Sequence, residues 1–523
     1  MQQYNYIVMV LFLLIGGVCL FLNWPNLVDS NLMPKWYGCI FSITLLLPFV
    51  IYCYFGNKKI HLKELTSVIS LPVMILCFTL SIYGIAQYLY LLPSNGIHRV
   101  TGSFDNPAGF AACLCAGFPF YFGFLTKTER RGRMVSIIAI VICGLSILLS
   151  GSRAGILSVV VVCLAIIIHI FRINARKKIL ICIFLFFFII SLYFIKKDSS
   201  DGRLLIWQCS WMMIKEKPLK GYGVQGFKAN YMNYQAKYFE RNPESKYSKL
   251  ADNVSRPFNE YLLLLVNYGL TGIGLLFVFI WFVFKSFLRC KNKNISAYIP
   301  LWTLLSIAVF ALFSYPLRYP FVWIMGILSI VIIIFQANYL VKIPTRFTHT
   351  FIVISIPIVI AICLYTYNRM NYEMKWYEIA SKSLLGKTRQ MLPEYAYLHH
   401  SLNNNELFLY NYAAELNVAE CYNESQKIAK ECENKWADYN LQLLMADNCF
   451  KMKDYTEAEY RYLKASAMCP VKFIPFYKLF QMYEINEEKE KMQIMARLIL
   501  DKQEKVISPT IKKIKQEVKQ KII

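Results

Sequence analysis

Residues 135–171 read VSIIAIVICGLSILLSGSRAGILSVVVVCLAIIIHIF. The stretch holds two apolar runs that are separated only by the polar element Ser-Gly-Ser-Arg at positions 150–153. A transmembrane helix needs about 20 mostly apolar residues. The first run is short, so we expect a tilted helix or one completed by its flanking loops. The stretch therefore predicts two membrane helices joined by a tight polar turn.

The same pattern recurs along the first two thirds of the 523-residue chain. The composition is 57% hydrophobic and 17% charged, with a mean hydropathy of +0.40, whereas soluble domains are about 25% charged. It excludes a purely soluble enzyme, and the 16% of aromatic residues exclude a disordered chain. We expect an all-α polytopic membrane protein with eleven transmembrane helices, the first of them uncleaved. The runs start near Tyr6, Trp36, Val68, Pro107, Val135, Gly155, Ile179, Glu260, Tyr298, Pro320 and Thr350.

Most of the formal charge of +25 lies in the apolar part of the chain. Residues 1–367 carry a net charge of +22 and residues 368–523 only +3, which indicates membrane topology and argues against nucleic-acid binding. Seventeen basic residues fall in alternate loops, against four in the other short loops. We therefore expect the N-terminus in the cytoplasm, and the long loop 196–259 and the C-terminal tail outside. The basic loops are 56–64, 126–133, 172–178, 285–293 and 342–346.

After Tyr367 the composition becomes charged and rich in Tyr, Leu and Ala, which predicts a helical domain over 368–523 beyond a membrane domain over 1–367. Small, aromatic and proline residues match the offsets of a 34-residue tetratricopeptide unit. Such a domain could bind a protein partner, and a plain helical bundle is the alternative. The matching residues are Ala446, Ala458, Tyr462, Ala465 and Pro470, and the expected helices are 406–418, 421–434, 438–451, 454–468, 473–485, 487–504 and 508–521.

Five arginines lie on the expected outer side, where the positive-inside rule disfavours them. They are Arg99, Arg153, Arg203, Arg256 and Arg318. Arg153 follows Ser150 and Ser152, either of which can cap the next helix. A guanidinium group beside a helix N-terminus makes a phosphate site. The alternative is an anchor that pairs with lipid head groups.

Two elements of the long loop carry further patterns. Leu204, Trp207, Trp211 and Ile214 fall at helical spacing, which predicts an amphipathic helix on the outer leaflet. Residues 221–226, Gly-Tyr-Gly-Val-Gln-Gly, satisfy G-x-G-x-x-G but follow a helix and not a strand, so we reject a dinucleotide site and expect a turn with exposed amides. No cysteine or histidine spacing predicts a metal site, and we expect no cofactor.

Taken in order, four elements resemble the superfamily of O-antigen ligases and O-antigen polymerases. They are Ser150–Gly155, Gly202-Arg203 with Trp207, Lys217-Pro218 with Gly221-Tyr222-Gly223 and Phe227, and Asn259-Glu260-Tyr261-Leu262. Gly102-Ser103-Phe104 with Asn106-Pro107, and Tyr315-Pro316-Leu317-Arg318, resemble further family features.

The resemblance implies an inverting, metal-independent glycosyltransferase of the bacterial inner membrane. It would move a glycan from an undecaprenyl diphosphate carrier to lipid A core, a protein hydroxyl or a growing glycan on the periplasmic face. Arg153 and Arg203 match the arginines that hold the donor diphosphate. Arg99, Arg256, Arg318 and Asn259 are further candidates for substrate binding.

One position departs from the family pattern. Many ligases have a histidine, the proposed base, immediately before the Asn of the Asn-x-Tyr-Leu element, whereas this chain has Phe258. Glu260 is the first candidate for the base, with His98 and Asp252 behind it. Glu260 could equally cap its helix. A second departure is the number of spans, because ligases commonly have twelve.

Two other classes of function stay open. A membrane-anchored scaffold would use the tail to bind partners, but eleven spans exceed what an anchor needs. A transporter would need ionisable residues in the middle of its spans, and the apolar runs hold almost none.

Overall fold

The computed structural model describes residues 2–55, 65–94, 96–125, 129–171, 173–290, 294–337, 346–505 and 508–522. About four fifths of the chain is helical, and no strand occurs in these ranges. The prediction of an all-α membrane protein is confirmed. Much of the basic loop sequence behind the expected orientation lies outside the described residues, namely 56–64, 126–128, 172, 291–293 and 342–345.

The chain divides into two compact units, of which the first comprises Met1–Leu192, Phe258–Tyr261 and Gly274–Met374. Helices α11 (Glu260–Leu288) and α14 (Arg346–Lys382) each contribute residues to both units. The other helices of unit 1 are α1 (Gln2–Phe21), α2 (Met33–Phe55), α3 (Leu65–Tyr88), α4 (Pro107–Gly117), α5 (Phe120–Leu125), α6 (Arg130–Leu149), α7 (Arg153–Phe171), α8 (Ala175–Ile195), α12 (Ile295–Ala311) and α13 (Pro320–Gln336).

Each of the eleven apolar runs coincides with helix. Among the described residues, six helices are long and apolar enough to cross a membrane, and four further apolar helices are shorter. The run that begins at Val135 is longer than expected, because its helix starts at Arg130 and has 20 residues. The run that begins at Pro107 is divided into α4 and α5. The count of eleven crossings stays a prediction.

Helix α4 lies in the core of unit 1, with Gly109–Gly117 entirely buried. Its small residues let other elements approach closely, as is common between membrane helices. A Cβ atom on Gly109 would lie 2.5 Å from the Tyr319 ring. A Cβ on Gly155 of α7 would lie 3.0 Å from Ala111. This packing brings the starts of α4, α7 and α13 together within unit 1.

Unit 2 comprises Tyr193–Pro257, Leu262–Ile273 and Lys375–Ile523. The long loop and the tail therefore form one compact body. Its remaining helices are α9 (Lys197–Glu216), α10 (Gly226–Arg241), α15 (Thr388–Leu402), α16 (Glu406–Val418), α17 (Tyr422–Glu433), α18 (Tyr439–Lys451), α19 (Tyr455–Met468), α20 (Ile474–Ile485), α21 (Lys489–Asp501) and α22 (Pro509–Ile522).

Polar contacts join the long loop to the tail. The buried Gln235 side chain donates to the carbonyl of Met468 at 2.7 Å, and Asn253 donates to the carboxylate of Asp438. Lys228 of α10 forms an ion pair with Glu406 of α16. The backbone amide of Ala437 also donates to the carbonyl of Lys228 at 3.1 Å. The long loop and the tail consequently pack as a single structure.

The tail consists of successive antiparallel helix pairs, and the predicted helices are confirmed to within three residues at each end. The first helices of three pairs start at Glu406, Tyr439 and Ile474, and the second helices start at Tyr422, Tyr455 and Lys489. Both series advance by 33 to 35 residues per pair. This period is that of a tetratricopeptide unit. The tetratricopeptide assignment itself stays a prediction.

The turns inside the three pairs are also repeated. Each contains a non-glycine residue with positive φ, namely Glu420 at 66°, Lys453 at 63° and Glu487 at 59°. The amide of the following residue donates back across the helix end at 2.9 Å, for example from Asp454 to the carbonyl of Cys449. The bonds from Lys453 to Phe450 and from Asp454 to Cys449 together form a Schellman motif. A local hydrogen-bond pattern therefore sets the pairing of the helices.

Candidate functional site

The polar turn between α6 and α7 holds Arg153 at the first position of a membrane helix. The hydroxyl of Ser152 accepts a hydrogen bond from the amide of Gly155 at 3.3 Å, so the predicted serine cap is confirmed. Gly151 has a φ of 66°, which lets the chain reverse between the two helices. The turn therefore places a guanidinium group beside a capped helix N-terminus.

The Arg153 guanidinium group also contacts α8. Its Nη1 atom donates to the backbone carbonyl of Leu192 at 3.1 Å, near the C-terminal end of that helix. A cation is unfavourable at the N-terminal end of its own helix and favourable at the C-terminal end of another. The bond to Leu192 partly offsets the unfavourable position. A guanidinium group has five N–H donors, so it can bind this carbonyl and an anion together.

A second set of predicted elements meets in unit 1. Tyr319 lies at the start of α13, and its hydroxyl donates to the side-chain oxygen of Asn106 at 3.2 Å. The Tyr319 ring also packs edge-on against Phe104, with centroids 5.4 Å apart. Asn106 caps α4 through the amide of Gly109 at 3.0 Å. The 102–107 and 315–320 elements are therefore in direct contact.

Arg318 lies beside two carboxylates. Its Nη2 atom is 3.5 Å from Asp105 and 3.7 Å from Asp29, and its side chain is about one quarter exposed. An anionic ligand that approached Arg318 would compete with these two carboxylates. Trp36 donates its indole N–H to the backbone carbonyl of Arg318 at 3.0 Å, which fixes the turn.

Lys35 supports this region and was not predicted as a site residue. It is completely buried, and its ammonium group lies within hydrogen-bond distance of four oxygens. One of them is the carbonyl of Ser103 at 2.9 Å, in the loop that precedes α4. The others belong to Leu22, Asn23 and Asn31. A buried ammonium is costly unless it is fully bonded, so Lys35 fixes the 102–107 loop to the α1–α2 connection.

Arg99 is held by aromatic rings. Its guanidinium carbon lies 4.1 Å from the ring centroids of both Tyr88 and Tyr90, and its Nε atom donates to the carbonyl of Tyr88 at 2.8 Å. The neighbouring His98 is exposed. Cation–π contacts with the two tyrosines therefore help to hold the guanidinium group.

Asn259 and Glu260 stand at the start of α11, and both are half-buried. The preceding Phe258 has a φ of 54°, in the left-handed region that bulky residues rarely adopt. Its ring lies 5.4 Å from that of Tyr315. Tyr261 donates to the carbonyl of Ala308 in α12 at 3.0 Å. Packing therefore holds the helix start in a conformation that the sequence does not favour locally.

Arg203 and Arg256 belong to unit 2, and both are half-buried. The helix predicted at Arg203 is confirmed as α9, and its position on the outer leaflet stays a prediction. Ile214 is buried, whereas Trp211 is 52% exposed and the buried face consists of Leu205, Ile206, Cys209, Met213 and Ile214. Trp207 donates its indole N–H to the carbonyl of Pro257 at 3.0 Å. That bond ties α9 to the segment before α11.

The glycine turn, residues 217–226, does not present its amides to a ligand as expected. Helix α11 is broken at Gly269, which has φ 60° and ψ −156°. The amides of Tyr222 and Gly223 donate to the carbonyls of Val266 and Asn267, at 3.0 and 2.7 Å.

On the other side of the break, the bonds run in the opposite direction. The amides of Leu270 and Thr271 donate to the carbonyls of Pro218 and Leu219, at 2.8 and 3.2 Å. A Cβ atom on Gly269 would lie 2.3 Å from the Leu219 oxygen. The two glycine-containing segments thus exchange the hydrogen bonds that the helix break would leave unsatisfied.

The predicted site residues are distributed over both units. Arg153, Arg99, Arg318, Asn259 and Glu260 lie in unit 1, and Arg203 and Arg256 lie in unit 2. The alternative base Asp252 is also in unit 2, where its exposed carboxylate lies 3.4 Å from Lys472. Within the described ranges, no group of three His, Cys, Asp or Glu side chains is arranged to hold a metal ion.

Part of the chain matches a known protein family. Residues 138–277 match the family described as O-antigen ligase. No curated protein matches the chain. The matched segment contains the Arg153 turn, Arg203, the glycine turn and the start of α11. The matched segment and the ordered elements agree, so residues 138–277 are similar to the O-antigen ligase family, which supports the resemblance to that superfamily.

Proposed function

We propose that this protein transfers a glycan from an undecaprenyl diphosphate carrier to an acceptor hydroxyl at the periplasmic face of the bacterial inner membrane. The observation that carries the proposal is the Arg153 turn inside the O-antigen ligase match. There a guanidinium group and a capped helix N-terminus occur together at the end of a membrane span, which suits a lipid-linked diphosphate.

The reaction needs stabilisation of a leaving group and removal of one proton. The acceptor oxygen attacks the anomeric carbon, the bond from that carbon to the phosphate oxygen breaks, and the diphosphate leaves with the bonding electrons. Arg153 and Arg203 would bind the negative charge that develops on this group. Attack from the opposite face inverts the anomeric centre. No metal ion takes part in the mechanism that we propose.

Glu260 is our candidate for the base that takes the acceptor proton. It lies in the first turn of α11 and is half-buried. Phe258 and Tyr315 form an aromatic surface next to this helix start, where an acceptor sugar could stack. Asn259, Arg99, Arg256 and Arg318 would orient the substrates. Arg318 would contribute least, because Asp29 and Asp105 already neutralise it.

The shared unit of the long loop and the tail supports the proposed topology. Parts of one compact body lie on the same side of a membrane, so the chain must cross an even number of times between the long loop and the tail. In this proposal, helices α11, α12, α13 and α14 would supply four crossings. The distribution of basic residues then favours the periplasm for both segments.

The donor site can be tested with purified protein in proteoliposomes and a synthetic carrier-linked glycan. We expect Arg153→Ala to lower the transfer rate about 100- to 1,000-fold, as for the loss of one oxyanion donor. Arg153→Lys should recover only part of the rate, because it lacks the planar fork. Arg130→Ala is the matched control, since Arg130 is also the first residue of a membrane helix. Normal transfer by folded Arg153→Ala protein would refute the donor site.

The base can be tested separately. Glu260→Gln should abolish transfer while donor binding, measured with radiolabelled carrier, is retained. Phe258→His in that background should restore part of the activity, because it places an imidazole at the position that is usual in the family. If Glu260→Gln transfers glycan at the normal rate, Glu260 only caps α11. His98, Asp252 or a group on the acceptor would then be the base.

The acceptor decides between a ligase, a polymerase and a protein oligosaccharyltransferase. In a deletion strain, loss of attached full-length chains on lipid A core indicates a ligase, and accumulation of single repeat units indicates a polymerase. Loss of glycan from a protein indicates the third activity. Unaltered glycans in the deletion strain would favour the scaffold alternative. In either case the tail, with its repeated helix pairs, would bind a protein partner or acceptor.

A further inference from the structure

Residues 211–224 expose a surface of apolar and basic side chains that the proposed reaction does not use. Trp211 is 52% exposed, Leu219 63% and Val224 77%. Lys215, Lys217 and Lys220 lie among them and are exposed as well. We infer that this surface, the head-group platform, binds anionic phospholipid head groups of the bilayer on the side of the long loop.

The depth of the platform follows from its bonds to α11. The platform turn exchanges backbone hydrogen bonds with residues 266–271 on both sides of Gly269. From Leu270 to the end of α11 at Leu288 the helix rises about 28 Å, which is close to the thickness of the hydrocarbon core. The break at Gly269 therefore coincides with the bilayer interface.

The side chains on α11 agree with this depth. Leu275 and Phe277 are 73% and 68% exposed, as expected of lipid-facing residues. Tyr268, immediately before the break, is 39% exposed, and tyrosine is typical of the interface. The residues bonded to this level, Pro218 to Gly223, must then lie where head groups begin.

The charge of the platform selects an anionic lipid. Within the described residues, no carboxylate forms an ion pair with Lys215, Lys217 or Lys220. The carboxylate of Glu216 is engaged instead, because it accepts a hydrogen bond from the hydroxyl of Tyr234. With three lysines and this one glutamate, residues 215–220 carry a net positive charge, which favours anionic head groups near the membrane surface.

Two tyrosines hold the platform in shape. The hydroxyls of Tyr222 and Tyr234 are 2.5 Å apart, and burial raises the pKa of both. The ammonium groups of Lys217 and Lys237 lie 4.6 and 4.8 Å from the centroids of the Tyr222 and Tyr234 rings. The contacts with the rings restrict these two lysine side chains, which lowers the entropy that lipid binding would cost.

The inference can be tested by photo-crosslinking in the full-length protein. Benzoylphenylalanine replaces Leu219, and the protein is placed in nanodiscs of phosphatidylglycerol and phosphatidylcholine in equal amounts. We expect lipid adducts at position 219, enriched in phosphatidylglycerol several-fold over its share of the bilayer. Lys217→Glu with Lys220→Glu should remove the enrichment. The matched control is Lys427→Glu with Lys430→Glu, which reverses two exposed charges on α17.

Control probes define the two limits of the measurement. Benzoylphenylalanine at Phe277 should give lipid adducts without preference, and at Tyr460, 56% exposed in the tail, it should give none. Absence of adducts at position 219 while position 277 reacts would overturn the inference. So would adducts confined to the polyprenyl diphosphate carrier when it is added, because the surface would then serve the donor. Equal labelling of both phospholipids would refute the anionic selectivity.

Discussion

The turns of the tail and the glycine turn of the long loop differ in how their left-handed backbone is stabilised. Both bring backbone into the left-handed region at the end of a helix. In the tail, Glu420, Lys453 and Glu487 adopt positive φ inside hydrogen-bond patterns that close within six residues. In the long loop, Gly221 and Gly269 adopt it where two segments about 50 residues apart exchange hydrogen bonds.

The difference lies in what tolerates a side chain. The tail turns are open, so they accept glutamate and lysine at a modest cost in strain. At Gly221 the glycine turn leaves no room for a side chain, since a Cβ atom there would lie 2.5 Å from the backbone of Asn267. A local motif therefore leaves the choice of residue nearly free, whereas a contact between distant segments requires glycine at both partners.

The largest expected effect is at Gly269, where steric crowding can be distinguished from the cost of a positive φ. Gly269→Ala should destabilise the protein by more than about 3 kcal/mol, because it adds both an unfavourable φ and a clash with the Leu219 carbonyl. Gly223→Ala is the control, since Gly223 has a φ of 84° but open space around it, and should cost only about 1–2 kcal/mol. Thermal unfolding in detergent measures both. Equal losses would show that crowding at the break is unimportant.

The next effect concerns the junction between the tail and the long loop. Asp438 is buried, caps α18 through the amides of Asn440 and Leu441, and accepts a bond from Asn253. Asp438→Ala should lower the free energy of unfolding by about 2–3 kcal/mol, because it removes the helix cap and leaves a polar partner unsatisfied. Asp438→Asn keeps a capping oxygen and should stay within about 1 kcal/mol of the parent.

The pH dependence of these variants gives a further check. Burial raises the pKa of the Asp438 carboxyl, so the folded protein binds this proton more tightly than the unfolded chain does. Ionisation of the buried carboxyl therefore lowers the stability of the folded protein. This loss of stability is fully present above the raised pKa and disappears as the pH falls below the ordinary pKa of Asp. Asp438→Asn should lack this component in urea unfolding between pH 7 and pH 4. Identical pH profiles for parent and variant would contradict the role of burial.

A smaller effect is expected at Phe258, where strain and packing oppose each other. Phe258→Gly relieves the positive φ but removes the ring that packs on Tyr315. Loss of a half-buried ring should dominate and destabilise the protein by about 1–2 kcal/mol. A variant that is more stable than the parent would show that the strain at this position exceeds the packing.

The smallest effect has the opposite sign. Lys453→Gly should stabilise the tail by about 1 kcal/mol, because glycine adopts a φ of 63° without strain. Calorimetry of the full-length protein should show a small rise in the midpoint temperature of the transition in which the tail unfolds. Lys451→Gly, inside the last turn of α18, is the control and should destabilise by about the same amount. Destabilisation by Lys453→Gly would mean that the lysine side chain stabilises the turn.

The tail was the most predictable part of the molecule, for reasons visible in single residues. Three tail helices are capped by the side chain of the residue before them, namely Asn405, Asp438 and Asp454. Their starts can therefore be predicted from neighbouring residues alone. The Arg153 turn was predictable for the same reason, because Ser152 caps within three residues. Helix identity in the apolar runs followed from hydropathy alone.

Features that depend on distant partners were not predictable. The break in α11 lies inside a continuous apolar run, and only the docked glycine turn shows why Gly269 is not helical. The buried role of Lys35 depends on four oxygens from separate positions. The inward face of α9 was not predictable either, because the burial of Cys209 and Met213 depends on the elements packed against them.

The hydrogen bonds exchanged at Gly269 also constrain biogenesis. The glycine turn is synthesised before α11, and in the folded protein each satisfies backbone groups of the other. Helix α11 can enter the bilayer as an unbroken helix, with Gly269 helical, and then open when the turn docks. Insertion of α11 and docking of the long loop on it are then two separate events.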